Sequence, residues 1–327
     1  MTSQAVDGTI PNKSAKKESV MCSPGRGNKT MLFFLLYLLV FQVVIYLVPL
    51  AAGFEPGPLL LLALGQVFGL FVPFLFYLLF TRQKFRHVLL LTPLGPKNTL
   101  IVLLISIVII PMVHLITYLL ALVFHPMVFD AMITIAAAPL WASLLVIGVF
   151  PSLFEEFFIR GAIYKEYEEV SIRKRAVMTG LFFGIMHFNF HQSFYAFLFG
   201  ILYAYLLYYT RSIFAPMLMH FVNNSLSVLM FRSTAFMEGY FELWGNQAMF
   251  LLIVGGLSLL MLPLLVVFLK ELSAYHRENF LPAESPSKGA ATAEKPKVLT
   301  WAFWPVLAIF LLSAGIIELG LRMGAAN

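Results

Sequence analysis

The stretch LLVIGVFPSLFEEFFIR, residues 144–160, places two carboxylates and a guanidinium directly after an apolar run. Glu155 and Glu156 follow that run, and Arg160 comes one helical turn after Glu156. A charged side chain near the centre of a bilayer costs about 2.5–3.5 kcal/mol on insertion scales, so such residues are rare there and mostly functional. The three charges therefore predict a functional site within a membrane-spanning helix.

The composition of the whole chain indicates a polytopic membrane protein. Of the 327 residues, 60% are hydrophobic and 12% are charged, whereas a soluble domain carries about 25% charged residues. The net charge of +6 comes from basic residues in short loops, as the positive-inside rule predicts. No basic groove with interleaved aromatic residues is visible, so we do not expect a nucleic-acid partner. The only cysteine, Cys22, excludes an internal disulfide and a cysteine metal cluster.

The apolar runs predict an all-α transmembrane bundle of eight or nine spans, because a helix needs about 20 residues to cross a bilayer. Residues 1–30 are predicted to be a disordered basic cytosolic tail, and residues 270–299 a flexible cytosolic linker. A short extracytoplasmic helix is expected at 126–138. The predicted spans lie near residues 31–52, 57–80, 99–124, 140–167, 176–191, 193–210, 213–231, 247–269 and 300–321.

These spans predict a simple division of the chain. The N-terminal transmembrane helices occupy residues 31–124, and a catalytic core occupies residues 126–231. One transmembrane helix, 247–269, follows the core, and a last one, 300–321, follows the linker. Basic loops alternate with acidic loops along the chain, so we expect a cytosolic N-terminus and, with nine spans, an extracytoplasmic C-terminus.

Polar residues on three different spans are predicted to lie at one depth. With a rise of 1.5 Å per residue, Glu155, His187, His220 and Asn224 lie about 13–19 Å from the basic residues at the cytosolic edge. Chance placement would scatter them over a span of roughly 30 Å. The common depth therefore predicts one shared site.

The spacing within each helix supports the same site. Glu156 and Arg160 are four residues apart and can form an ion pair on one helix face. His220 and Asn224 have the same spacing. Glu155 points about 100° away from Glu156 around the helix, so we expect Glu155 to face the cavity and Glu156 to be held by Arg160.

This set of groups is typical of water activation. A carboxylate helped by an imidazole can act as a general base, and a second imidazole with an amide can stabilise an oxyanion, an effect worth about 2.7–4 kcal/mol per donor. Glu155, His187 and His220 are also an acceptable zinc set with an open position for water. Since the helical His-Glu-x-x-His signature is absent, the choice between a divalent metal such as zinc and no cofactor stays open.

Three motifs carry a resemblance to a known family. Glu-Glu-x-x-x-Arg at 155–160, Phe-x-x-x-His at 183–187 and His-x-x-x-Asn at 220–224 resemble the three motifs of the CPBP family of intramembrane proteases. That family includes type II CAAX prenyl endopeptidases and bacteriocin-processing or immunity proteins. By this resemblance, Glu156 and Arg160 are supporting residues of the first motif.

The resemblance, which covers roughly residues 130–230, implies an endopeptidase with an intramembrane polar cavity open to the cytosolic side. It implies that Glu155 and His187 activate the water, while His220 and Asn224 support the oxyanion. The family has been described both as metalloproteases and as glutamate-dependent proteases. The implied substrate is a membrane peptide or a prenylated protein, and we expect the enzyme in the plasma membrane of a prokaryote.

Two other classes of function remain as alternatives. Buried Glu, His and Arg residues also form proton relays in transporters, although the inverted repeats typical of carriers are not visible. A non-catalytic immunity or scaffold protein could retain the motifs without turnover. Two further histidines are interpreted as structural: His191 as an interfacial residue and His114 as a hydrogen-bonded buried one.

Overall fold

The computed structural model of the chain describes residues 22–281 and 296–325. Every regular element in these two ranges is a helix, which confirms the all-α prediction. In chain order the helices, apart from a short turn at Phe85–Val88, are α1 (Pro24–Ala51), α2 (Pro58–Thr81), α3 (Pro96–Ala121), α4 (Met127–Ala136), α5 (Leu140–Glu166), α6 (Ile172–Ile185), α7 (Phe190–Thr210), α8 (Phe214–Arg232), α9 (Thr234–Gly245), α10 (Gln247–Phe280) and α11 (Phe303–Ala325). Eight of these helices are long and apolar enough to cross a membrane, namely α1, α2, α3, α5, α7, α8, α10 and α11.

The first helix begins earlier than predicted. α1 starts at Pro24, so the last part of the predicted disordered tail 1–30 is helical. The Ser23 hydroxyl accepts a hydrogen bond from the Arg26 N–H at 3.2 Å, and proline suits the first position of a helix. Residues 1–21 of the predicted tail lie outside the described residues.

The predicted linker 270–299 is also shorter than expected. α10 continues to Phe280, because its last turns still pack on the bundle: the ring centroids of His276 and Tyr208 lie 4.3 Å apart. Residues 282–295 of the linker lie outside the described residues.

The predicted fifth span, 176–191, is wrong as a continuous helix. α6 ends at Ile185, Phe188 adopts a left-handed backbone with φ of 54°, and the Asn189 side chain caps α7 by accepting the Gln192 N–H at 2.8 Å. At 1.5 Å per residue the 14-residue α6 is about 21 Å long, which is shorter than the hydrocarbon core of about 30 Å. His187 therefore lies in the turn between α6 and α7.

The hairpin of α6 and α7 is packed closely because glycines face each other across it. A Cβ added to Gly200 would lie 2.5 Å from the Cα of Gly180, a distance that no real side chain tolerates. Such contacts between small residues let two membrane helices approach to backbone distance. The hairpin thereby presents the carbonyl group of Gly200 to the neighbouring α5.

α5 is the most buried of the eight membrane-length helices and packs against α2, α6 and α8. It contains two π-helical segments, Leu144–Val149 and Phe157–Ile163, on either side of the turn that carries Glu155 and Glu156. Short π-helical insertions occur frequently at functional sites. The central position of α5 brings its charged residues next to side chains from four other helices, α2, α6, α7 and α8.

Candidate active site

The predicted ion pair between Glu156 and Arg160 is present and fully enclosed. The Arg160 Nε atom lies 3.1 Å from Glu156 Oε2, and both side chains are 0% exposed. Arg160 Nη2 also donates to the Gly200 carbonyl oxygen at 3.2 Å. The guanidinium carbon lies 4.4 Å from the ring centre of Phe183 and 5.1 Å from that of Tyr203. These cation–π contacts and the ion pair attach α5 to the hairpin of α6 and α7.

Glu156 has a second partner that the sequence analysis did not predict. The Nδ1 atom of His220 lies 2.9 Å from Glu156 Oε1, within hydrogen-bond distance, and the Tyr203 ring stacks on the imidazole with centroids 5.5 Å apart. Because a carboxylate can only accept, Nδ1 carries a proton and donates it. Glu156 thus fixes the orientation of the His220 ring and directs its Nε2 atom towards Glu155.

Glu155 is the free end of this chain of contacts. Its Oε2 atom lies 3.9 Å from His220 Nε2, which is too long for a direct hydrogen bond but can be bridged by a water. Its Oε1 atom accepts a hydrogen bond from Gln66 Nε2 at 3.0 Å. The side chain is almost completely buried.

Gln66 is a site residue that sequence reasoning missed. It lies in α2, outside the three motifs, where the sequence indicated only a hydrophobic span. The available signal was a lone amide side chain within the apolar run 58–80, since polar groups inside a membrane helix are mostly functional or paired.

The two remaining predicted site residues, His187 and Asn224, lie beside the two carboxylates of the first motif and form no hydrogen bond or ion pair with them among the described residues. The His187 ring packs edge-on against Phe183 with centroids 5.4 Å apart, and the same phenyl ring lies 5.9 Å from His220. Asn224 donates through Nδ2 to the Ile147 carbonyl oxygen at 2.8 Å, in the first π-helical segment of α5. An amide NH₂ group has two donors, so one N–H of Asn224 remains for another acceptor as far as the described residues are concerned.

The structure thus joins Glu155, Glu156, Arg160 and His220 through short contacts and places His187 and Asn224 at their edge. His114, predicted to be a hydrogen-bonded buried residue, lies with Nδ1 at 3.3 Å from the Tyr240 hydroxyl. His191 is buried and bonded through Nε2 to the Thr117 carbonyl oxygen at 3.1 Å. It lies in the first turn of α7, directly after the hairpin turn, and its interfacial depth in the membrane stays a prediction.

The predicted zinc set is not assembled in this arrangement. Within the described residues, no three His, Cys, Asp or Glu side chains lie close enough together to hold a metal ion. A catalytic zinc needs three protein ligands. The Nδ1 atom of His220 lies within hydrogen-bond distance of Glu156, an arrangement that is common for zinc-bound histidines and leaves Nε2 for a metal. The metal set Glu155, His187 and His220 stays a prediction, and the steps proposed below use no metal.

The comparison with known families adds an independent observation. Residues 136–226 match the family model described as type II CAAX prenyl endopeptidase Rce1-like. The match covers all three motifs, with the whole of α5 and α6, and α8 as far as residue 226, so the resemblance to the CPBP proteases is confirmed over this part of the chain. No curated protein and no solved structure matches the chain. The eight apolar helices and this match identify an integral membrane protein, and the match supports a protease.

Proposed function

We propose that this protein is an intramembrane endopeptidase that hydrolyses a peptide bond of a membrane-associated protein substrate. The observation that carries the proposal is the buried series Arg160, Glu156, His220 and Glu155, joined by contacts of 3.1, 2.9 and 3.9 Å. A purely structural ion pair would need only the first two members. The series instead ends at a carboxylate that has one oxygen atom held by Gln66 and the other facing an imidazole nitrogen.

In the proposed reaction, Glu155 and His187 activate a water molecule. Glu155 takes a proton from the water as its oxygen atom attacks the scissile carbonyl carbon. His220, when protonated on both nitrogens, donates through Nδ1 to Glu156 and offers its Nε2–H to the developing oxyanion, together with the free N–H of Asn224. Glu155 then returns the proton to the leaving amine as the C–N bond breaks.

A cleft between the helices that carry Glu155 and His220 supports an apolar substrate anchor. This cleft of about 410 Å³ lies between α3, α5 and α8 and is lined mostly by apolar side chains, including Leu153, Met217 and Phe221. Leu153 lies on α5, the helix of Glu155, and Phe221 lies on α8, the helix of His220. We propose that the cleft takes the apolar part of a prenylated or otherwise membrane-anchored substrate.

The proposed location follows from the charges of the loops. Basic residues follow α2 and precede α6, whereas the loop between α1 and α2 carries Glu55. The positive-inside rule then gives a cytosolic N-terminus and a site reached from the cytosolic side, and we propose the plasma membrane of a prokaryote as the location.

The decisive test replaces the proposed base. Glu155→Gln is expected to abolish cleavage of a farnesylated CAAX peptide or a membrane peptide, because the amide cannot accept the proton of water. Mass spectrometry of the cleavage products from purified protein measures the effect. Glu238→Gln, at an exposed carboxylate, is the matched control and should cleave like the wild type. Full activity of Glu155→Gln would contradict the proposal.

The same assay tests the metal alternative. Wild-type protein is assayed after treatment with a chelator and after zinc is added back. Loss of cleavage that zinc restores would show a metalloprotease whose ligands rearrange from the positions described above. Unchanged cleavage would support the glutamate-dependent mechanism.

A further inference from the structure

A second groove touches α5 at Phe158, whereas the cleft described above touches it within residues 149–153. This groove of about 280 Å³ runs between α1 and α2, at the end of the bundle where α1 begins. Basic side chains lie at one end of the groove and aromatic rings form the rest of it. The lining of the groove includes Arg26, Lys29, Phe33, Phe76, Phe80 and Phe158.

The basic end of the groove lies at the level of the membrane interface. The Lys29 ammonium lies 6.0 Å from the ring centre of Trp301, just before α11 begins. Trp301 is 65% exposed and Trp304 is 58% exposed. Exposed tryptophans at the ends of membrane helices mark the depth of the lipid headgroups. The two cations of the groove therefore lie where a lipid phosphate would be.

Arg26 has a donor group that its protein partners leave free. Its Nε atom donates to Glu166 at 2.8 Å, but its Nη2 atom is buried and has no hydrogen-bond partner among the described residues. A buried unpaired donor is costly, so an acceptor at this place is favoured. Glu166 neutralises one of the two cations, and the remaining positive charge matches a single phosphodiester.

The rest of the groove matches a hydrocarbon chain. Phe33 is 50% exposed and Phe80 is 78% exposed, so the aromatic wall is open towards the lipid. Phe158 forms the inner wall, and its ring centroid lies 4.0 Å from that of Phe34 on α1. Phe158 is two residues after Glu156 on α5, so an occupant of the groove contacts the helix that carries the candidate active site.

We propose that this groove binds an anionic phospholipid, with its phosphate at Arg26 and Lys29 and an acyl chain along Phe33, Phe76 and Phe80. Basic pockets between transmembrane helices are a recurring way of holding anionic headgroups. Arginine suits the role because its fork of donors can hold a phosphate in a fixed orientation. The lipid would join α1 to α2 and stabilise the back of α5. This inference does not depend on the proposed protease activity.

The test uses the purified full chain and native mass spectrometry to count bound lipids. The probes are phosphatidylglycerol and phosphatidylcholine with identical acyl chains. We expect phosphatidylglycerol to be retained in preference to phosphatidylcholine. Lys29→Gln should weaken this retention about fivefold, the effect of one basic residue near an anionic lipid. Lys29 is exposed, so the substitution leaves the packing intact.

The matched control is Arg86→Gln, an exposed basic residue in the short turn after α2 and outside the groove, which should retain phosphatidylglycerol like the wild type. Equal retention of the two lipids would overturn the proposal, as would equal effects of the Lys29 and Arg86 substitutions. The alternative occupant of the groove is a farnesylated peptide, which would displace phosphatidylglycerol from the wild type but not from Lys29→Gln. That result would also overturn the proposal and would assign the groove to the substrate.

Discussion

At the scale of single residues, Glu156 organises the candidate site because its carboxylate serves two partners. One oxygen atom faces the Arg160 guanidinium and the other accepts from His220. Removing one partner of a buried ion pair leaves an uncompensated charge, at a cost of about 3–5 kcal/mol. The motif Glu-Glu-x-x-x-Arg therefore combines a carboxylate held by two partners with Glu155, the proposed base, whose own partner Gln66 comes from α2.

The role of Gln66 is tested by Gln66→Leu. Glu155 would lose a hydrogen bond to a charged group, which contributes about 1.5–3 kcal/mol, so we expect kcat to fall roughly 10- to 100-fold with little change in KM. Steady-state cleavage kinetics measure both constants. Gln247→Leu, at an exposed amide, is the control and should leave both unchanged. A rise in KM alone would show that Gln66 contacts the substrate and does not position Glu155.

At the scale of the elements, the hairpin of α6 and α7 determines where Phe183 and His187, the two residues of the second motif, lie. The sequence predicted one helix from 176 to 191, yet the backbone turns at Phe188 and the next helix begins at Phe190. This turn leaves α6 too short to cross a bilayer alone and places His187 at the end of the hairpin. The glycine contact between α6 and α7 makes that geometry possible.

The hairpin contact is tested by Gly200→Ala. The added methyl group would lie 2.5 Å from the Gly180 Cα, so α6 and α7 must separate and the Gly200 carbonyl must shift away from Arg160. We expect a lower Tm and loss of cleavage, measured by thermal unfolding in detergent and by the peptide assay. Gly315→Ala in α11 is the matched control, because nothing lies within 4 Å of its added Cβ. An unchanged Tm for Gly200→Ala would contradict the close packing.

At the scale of the whole molecule, one buried carboxylate at the end of α5 joins the start of α1 to α2. Glu166 accepts hydrogen bonds from the Ser23 N–H at 3.1 Å, from Arg26 Nε at 2.8 Å and from the Tyr77 hydroxyl at 2.6 Å. Asn28 on α1 donates to the Val298 carbonyl oxygen at 2.9 Å, just before α11. These contacts close the bundle over the start of α1.

The reactivity of the Cys22 thiol tests whether the bundle is closed over the start of α1. Burial, together with a hydrogen bond to Glu168 and the charge of Glu166, raises the pKa of the Cys22 thiol to about 11. A raised pKa means that the reactive thiolate is scarce at pH 8 and forms only as the pH approaches the shifted value. We expect slow alkylation by maleimide at pH 8, with a rate that climbs steeply above pH 9 and is high at pH 8 once the protein is unfolded. Equal rates in the folded and unfolded protein would contradict the closed arrangement.

The sequence by itself determined the membrane-spanning, all-helical character of the chain, the start of α5 after Pro139 and the pairing of Glu156 with Arg160. These features follow from local rules: apolar run length, proline placement and i,i+4 spacing. Only the tertiary structure decided that His220 is held by Glu156, that Gln66 holds Glu155 and that His187 lies in a turn. Those contacts join residues far apart in the chain, and their geometry depends on how closely helices pack at Gly180 and Gly200, which no local pattern specifies.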